Sequence, residues 1–342
     1  MQTRKSRASF TGRVTMADVA KEVGVSAITV SRAFRAPGKV SPELHSRIVE
    51  VSRRLGYVPS RAASALASAR SMTILALIPS LTNNVFVDVL VGIKEVLDAA
   101  DYQMLIAITG YDQPDAEERM LRAHLGYVPD GILLTGVDQS EAVRTMIDGQ
   151  GLPTVHMMDH SDREDLWWVG YSNAEAGRAV ARYLLGRGRR RIGIIASQLD
   201  PRSLRRCEGC REVLAEAGLY DPGLDLRVPD HSSIPLGAEL VERLLNQAPD
   251  CDAVFVCNDD LAQGAVFQCS QRGVAVPDRL AVVGFHDLNA SAWASTPLTT
   301  VRTPRYQIGR EATRLLLARI EGTPTSARRI DLGFSLVRRA SG

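Results

Sequence analysis

The run RRIGIIAS is followed by QLDPRS, which places Arg202 just beyond the end of an expected strand. A guanidinium there offers a rigid fork of N–H donors, the geometry that grips a carboxylate or phosphate through two parallel bonds. Other apolar runs also end in polar groups. ILALIPS leads into LTNNVF, so Asn84, Val85 and Phe86 stand at one strand mouth. Asn258 and Asp259 follow DAVFVC, and His286 follows AVVGF. Amides and carboxylates bond hydroxyls well. The set therefore describes a site for a small hydroxylated anion, with Asn84, Asn258 and Asp259 on its hydroxyls. Phosphate is the weaker choice, because no glycine-rich nest of backbone donors accompanies Arg202. Two plainer alternatives stand beside this reading: Arg202 in a surface or interlobe ion pair, and His286 as a neutral, hydrogen-bonded ring.

Motifs of catalysis are missing. The chain has no GxSxG, no Walker loop, no HExxH and no GxGxxG opening a helix after a strand. Cys207 and Cys210 have CxxC spacing but fall on an expected helix without a second ligand pair, which points to packing rather than metal or redox chemistry. The histidines are scattered, and His45 and His124 fall on expected helices. Trp167 and Trp168 are adjacent, so at most one can face a given side of a strand; both read as packing near a crossing between lobes. No enzyme activity, metal or cofactor is expected.

These residues need elements to hold them. From Met72 onward short apolar runs alternate with helical patterns, and the alternation occurs twice. ILALI, MLIAI, GILLTG and PTVHMM form one series; RRIGIIAS, DAVFVC and LAVVGF form another. Helices are expected between them, near 140–149, 236–247 and 260–272 among others. Buried strands alternating with helices imply parallel sheets covered on both faces, here as two lobes. Ligands in such sheets bind beyond the carboxyl ends of the strands, so the cleft between lobes is the natural site.

The chain has 342 residues, 45% of them hydrophobic, and a net charge of only +2. That small sum conceals a division. Residues 1–70 hold thirteen Lys/Arg against four Asp/Glu, a net +9, and the rest is net −7. A basic head on an acidic body is the electrostatic footprint of nucleic-acid binding. No apolar run approaches the ~18 residues of a membrane span, and no apolar stretch follows the charged N-terminus, so the expected location is the cytoplasm, with no membrane partner. Five cysteines, an odd number, suit a reducing compartment.

The head carries helix signals. Thr15 can cap a helix in which Val19, Ala20 and Val23 form the apolar face, and Gly24 ends it. Ser26 can cap a second, with Val25 and Val30 placed as a hydrophobic staple. Two short helices around a glycine have the spacing of a helix-turn-helix. A third begins at Ser41-Pro42 and buries Leu44, Ile48, Val51 and Leu55, ending at Gly56. With Val30, Ala33 and Phe34 inward, the second helix presents Ala27, Ile28, Ser31 and Arg32. An outward Ile28 suits a thymine methyl, and Arg32 a guanine edge; the alternative is ordinary surface. Thr15, Ser26, Thr29 and Arg61 are further candidate DNA contacts. The Ala/Ser-rich stretch 60–71 contains one large apolar residue, Leu66. It is short for an isolated helix, and reads either as a hinge that folds on DNA, with Leu66 wedged in the minor groove, or as an inert spacer.

The strings VTMADVAKEVGVSAITVSRAF and KVSPELHSRIVEVSRRLGYVPSRAASALASAR closely resemble the head of LacI-type bacterial transcription regulators. The resemblance implies that Leu66 is the intercalating hinge leucine and that Ala27, Ile28 and Arg32 read bases. The body resembles the family's sensor core, itself similar to periplasmic sugar-binding proteins, through VGYSNAEAGRAVARYLLGRGRRRIGIIA, CNDDLAQGAVFQC, GVAVPDRLAVVGFHD and PLTTVRTP. The implied organisation is a basic tail (1–12), a helix-turn-helix head (13–59), a hinge (60–71) and a core (72–342). Within the core, lobe 1 spans about 72–165 and 300–325, and lobe 2 about 166–298 and 326–342. Crossings are expected near 158–172, 287–300 and 324–330.

The family often carries Asp where His286 stands, so the imidazole removes a negative charge, Arg202 adds a fixed positive one, and the two are expected to form a cationic pair in the cleft. With LDPRS, HSSIPLGAEL and RRIDLGFSLVRR, the pattern resembles the branch that controls gluconate utilisation. That implies a repressor released from a palindromic operator by gluconate or a related acid such as a ketogluconate or idonate. The FHDLN string departs from that branch's FHG form. No heptad tail follows Arg338, so a homodimer is expected. The alternatives are a family member sensing another or a phosphorylated sugar, a co-repressed purine-type regulator, a periplasmic binding protein, and an α/β enzyme with a DNA-binding head.

Overall fold

A computed structural model describes residues 14–59, 70–111 and 115–342, and the chain falls into two compact units, Met1–Met72 and Thr73–Gly342. The expected basic tail, most of the hinge, Arg61 and Leu66 lie outside the described residues.

In the first unit, α1 (Met16–Val23), α2 (Ala27–Arg35) and α3 (Pro42–Leu55) form a three-helix head. The Asp18 carboxylate accepts both the Thr15 backbone N–H and its hydroxyl, at 2.8 and 2.7 Å. The chain leaves α1 through Gly24 at φ +78°, a conformation that costs most other residues a steric penalty. Ser26 Oγ accepts the Thr29 N–H at 3.2 Å, and Ser41 Oγ accepts that of Leu44. Val19, Val23, Val30, Ala33, Ile48 and Val51 close the core, with Phe34 and Leu44 packed at its margin. The apolar spacing in each helix thus meets in one small cluster.

The second unit holds two six-stranded sheets. The first is built from β1 (Thr73–Ile78), β2 (Gln103–Ile108), β3 (Gly131–Thr135), β4 (Thr154–Met157), β5 (Trp168–Gly170) and β11 (Arg329–Asp331), in the order β11-β5-β4-β3-β1-β2. The second contains β6 (Ile192–Ala196), β7 (Asp225–Arg227), β8 (Ala253–Val256), β9 (Ala281–His286), β10 (Thr299–Arg302) and β12 (Ser335–Val337), in the order β12-β10-β9-β8-β6-β7. All recorded pairings are parallel except β12 against β10. Covering helices are α4 (Val85–Ala99), α5 (Ala116–Leu125), α6 (Glu141–Gln150), α7 (Asn173–Gly186), α8 (Pro201–Glu216), α9 (Ile234–Gln247), α10 (Asp259–Gln271) and α11 (Arg305–Glu321). Three helix pairs pack closely: α4 on α11, α7 on α8, and α9 on α10.

The strand positions move the crossings. They fall at 171–172, 303–304 and 332–334, because β5 and β11 belong to the first sheet and β10 to the second. The first lies at the far end of its expected span; the second and third lie beyond theirs. Strands as short and polar as Arg329–Asp331 carry no apolar run to mark them, and they decide which lobe a crossing belongs to. Strand β7, Asp225–Arg227, is likewise too short and polar to be marked by an apolar run. Trp168 is buried in β5 and donates Nε1–H to the Ser161 carbonyl, whereas Trp167 is flanked by the guanidinium groups of Arg319 and Arg328.

Candidate functional site

The strand ends of the two lobes face one small cavity. Val85 and Phe86 at the start of α4, Arg202 on α8, Asn258 before α10 and His286 at the end of β9 all line it, as expected from their places after apolar runs. Asn83, Tyr111, Asp200 and Arg206 line it as well.

Arg202 is buried. Its Nε donates to Asp200 Oδ1 at 2.9 Å, and its guanidinium lies 6.0 Å from the Phe86 ring centre. Its two terminal nitrogens have no hydrogen-bond partner among the described residues. Asp200 caps α8, accepting the Arg202 backbone N–H and the Ser203 hydroxyl, so one carboxylate starts the helix and fixes the arginine. Burial opposes its ionisation, but Arg202 and Arg206 outweigh burial and bring its pKa down to about 2. The ion pair considered for Arg202 is therefore real but local, and it leaves the outer edge of the fork presented to the cavity.

Arg206, one turn further along α8, is the principal residue sequence reasoning missed. Its Nε donates to Asn173 Oδ1 at 2.9 Å, and Nη1 donates to the Cys257 carbonyl at 2.9 Å and to Asn258 Oδ1 at 3.3 Å. Its guanidinium lies 4.1 Å from the Phe285 ring centre. The i,i+4 spacing from Arg202 was the available signal, since such positions share a helix face. Tyr111 and Asn83 could have been found by the same strand-end rule; Asn83 Nδ2 donates to the Tyr111 hydroxyl at 3.1 Å.

Three expectations need correction. Asn84 is exposed and lines a different chamber beside Asp88 and Arg305; the neighbouring Asn83 takes its place in the cavity. Asp259 is fully buried but turned into its own lobe. Its carboxylate accepts the Leu288 N–H and the hydroxyls of Ser291 and Thr300 at 2.6–2.8 Å, so the segment after β9 and strand β10 occupy it. His286 reaches the cavity, but not as a cation. Burial pushes its pKa well below the ordinary range, and Arg206, Arg305 and Arg202 push the same way. Its Nδ1 lies 3.3 Å from Thr303 Oγ1, which matches the neutral alternative.

As pH falls through about 6.5, an unfolded chain protonates this ring while the folded body does not. His286 stability is thus fully present above that pH and declines below it. His156, also buried and held below its ordinary pKa, acts in the same direction. His286→Asn should flatten the decline in Tm of the body between pH 7 and 5.5. An unchanged slope would mean the ring titrates freely.

Contacts between lobes flank the cavity. Arg205 pairs with Asp138 and Asp159 across the cleft. Arg305 donates to the His286 carbonyl and to Asp88 Oδ2 at 2.7 Å. Cys207 and Cys210 are buried on α8, with Cys207 Sγ 3.4 Å from Cys257 Sγ, and burial raises the Cys210 thiol. Such thiols are unreactive. No cluster of three or more His, Cys, Asp or Glu among the described residues is placed to hold a metal.

On the head, Ala27, Ile28 and Arg32 are exposed on one side of α2, Ile28 to 70%, while Val30 and Ala33 are buried. Ser26 and Thr29 are occupied with the cap, and Thr15 with Asp18. Ile28 thus stands in water on the same side as Arg32, which has no ion-pair partner among the described residues.

Residues 15–60 match the bacterial regulatory proteins of the lacI family, and residues 181–342 match a periplasmic binding protein-like domain. The chain belongs to the LacI family of DNA-binding transcriptional regulators, which are not enzymes. Among its relatives is the HTH-type transcriptional regulator GntR of Pseudomonas aeruginosa, 46% identical over 331 residues, covering 97% of this chain and 96% of that protein. The GntR regulator of Escherichia coli K12 is 38% identical over 95% of this chain and 97% of its own length. The crystal structure of transcription regulator GntR from Chromobacterium violaceum is 48% identical, with a TM-score of 0.77, over 79% of this chain and 98% of that one. No helix among the described residues is long and apolar enough to cross a membrane.

Proposed function

We propose that this regulator is a homodimeric repressor, released from its operator when a sugar acid of the gluconate type enters the cavity between the lobes. The observation that carries the reading is the unclaimed outer edge of the Arg202 fork. Within the cavity, Arg202 and Arg206 stand against the single carboxylate of Asp200, and His286 is neutral. That balance of about +1 suits one carboxylate. The sequence resemblance to the gluconate-utilisation branch supports the same choice.

Two heads reading two half-sites require a two-fold operator. Ile28 and Arg32 supply the base contacts, and Leu66 the minor-groove wedge. Arg32→Ala should cost about 1–3 kcal/mol of operator affinity and relax the preference at one base pair per half-site. Competition among single-base operator variants checks this; a uniform loss at every variant would make Arg32 a phosphate contact.

A gel shift on the DNA upstream of the protein's own gene tests the effector. Gluconate, 2-ketogluconate, idonate and 6-phosphogluconate are titrated beside neutral glucose. Release by an acid and not by glucose is expected. Tighter binding of glucose than of every acid, or a shift strengthened by the acid, overturns the reading.

A further inference from the structure

The inner cavity has a volume of about 20 Å³, room for a single water-sized group. At most the carboxylate of a sugar acid fits inside it, and the rest of the molecule must extend outward past Arg202. An adjoining chamber of about 290 Å³ shares Tyr111, Gln198, Asp200 and Arg202 with it, so Arg202 stands at the neck between the two. The outer chamber is also lined by Glu117, in the first turn of α5, by Gln139, in the loop after β3, and by Asp138, which is paired with Arg205. Neither Glu117 nor Gln139 belongs to the strand-end set that signals the inner site.

Gln139 is only 5% exposed, yet its Oε1 has no hydrogen-bond partner. Its Nε2 makes only long contacts, 3.3 Å to the Thr135 carbonyl and 3.4 Å to both the Gly136 carbonyl and Glu117 Oε1. A buried amide with an idle acceptor is an uncommon arrangement that a donor from a ligand would relieve. Glu117 carries unspent acceptor capacity beside it. Two acceptor groups in a chamber that opens past an arginine ask for hydroxyl donors on one part of a ligand and a negative charge on another.

We infer that Glu117 and Gln139 form a subsite for the terminal hydroxyls of an open-chain polyol acid whose carboxylate is held by Arg202, and that Glu117 excludes a second carboxylate at that end. The inference rests on the monoanion reading above and adds the orientation and form of the ligand. Burial raises the Glu117 pKa, with the Gln139 bond and Arg202 opposing it.

Titration calorimetry on the full chain tests it with four compounds. Gluconate has acid and tail, glycolate an acid without the tail, sorbitol the tail without the acid, and glucarate an acid at both ends. Glu117→Leu should weaken gluconate and sorbitol by about tenfold, the value of a hydrogen bond to a charged group, and leave glycolate unchanged. Glu117→Gln, which keeps shape and removes charge, should improve glucarate relative to gluconate by a similar factor. Wild-type gluconate affinity in Glu117→Leu overturns the subsite, as does an unimproved glucarate in Glu117→Gln. Sorbitol keeps the two readings apart. If the wild type bound sorbitol as tightly as gluconate, the anion reading would fall, and the response of sorbitol to Glu117→Leu would still decide the subsite.

Discussion

Arg202→Met is expected to abolish the response to sugar acids while operator binding persists, giving a repressor that no longer lets go. Removing one partner of a buried, hydrogen-bonded charge pair costs about 2–5 kcal/mol, or roughly thirtyfold to several-thousandfold in acid affinity. Arg202→Lys keeps the charge and loses the fork; it should fall between, because a point charge cannot bond a carboxylate through two parallel donors. The Met variant also strips Asp200 of its closest counter-charge, which would lower Tm by itself. Adding Asp200→Asn removes that orphan carboxylate. The double variant should regain stability and remain unresponsive. Operator affinity is carried by a head with its own core, built from Val19, Val30, Ile48 and their neighbours, so gel shifts without effector should match the wild type. An acid response that survives in Arg202→Met would remove the basis of the anion reading.

The neutrality of His286 sharpens that expectation. A cationic imidazole beside Arg202 would have shared the ligand's charge, and losing either residue would have been partly covered by the other. With burial and three arginines holding the ring neutral, the charge contrast falls on the arginines of α8. His286 adds a hydrogen-bonding ring and, through its backbone carbonyl, an attachment for Arg305, which also holds Asp88 on α4. A ligand seated against His286 thus touches the end of a strand tied to the other lobe. Coupling between an effector site and operator affinity of about 1–3 kcal/mol is typical of such links.

Much of this was legible in the residues, for reasons that differ along the chain. The head was readable because its signals are local: a cap, an apolar stripe and a stop glycine recur within ten residues. The cavity was readable through the rule that ligand groups follow parallel strands, which located Val85, Phe86, Arg202, Asn258 and His286. The same rule cannot tell which of two adjacent residues turns inward. Asn83 and Asn84 were indistinguishable until the start of α4 fixed their directions, and Asp259 was indistinguishable from Asn258 until Ser291 and Thr300, far along the chain, claimed its oxygens. Arg206 hid because a charged residue on the buried face of a helix breaks the pattern that marks the face. Its burial depends on Asn173, Cys257 and Phe285, which only the tertiary fold assembles.

The placement of Arg206 also rests on a contact in which no side chain is allowed. Where α7 crosses α8, a Cβ on Gly177 would stand 2.0 Å from the Arg206 carbonyl oxygen, and one on Gly209 would stand 2.0 Å from that of Ala174. Both obstacles are backbone, so neither can swing aside, and the helices must part. Overpacking of this kind costs about 1–3 kcal/mol. For a unit of this size each kcal/mol lowers Tm by about 2–4 °C. Gly177→Ala should therefore lower the Tm of the body by several degrees and leave the head's transition in place. Parting the helices also draws Arg206 from Asn173 and Asn258, so acid binding should weaken at least about tenfold, the loss of one hydrogen bond to a charged group. Gly186, at the end of the same helix, supplies the control, because a Cβ there meets nothing within 4 Å. Gly186→Ala should hold or raise Tm, since alanine restricts the unfolded chain and favours the helix. Scanning calorimetry with and without gluconate separates the two variants. Equal melting of Gly177→Ala and Gly186→Ala would mean that α7 and α8 can separate at no cost, and that their close approach does not hold Arg206 in place.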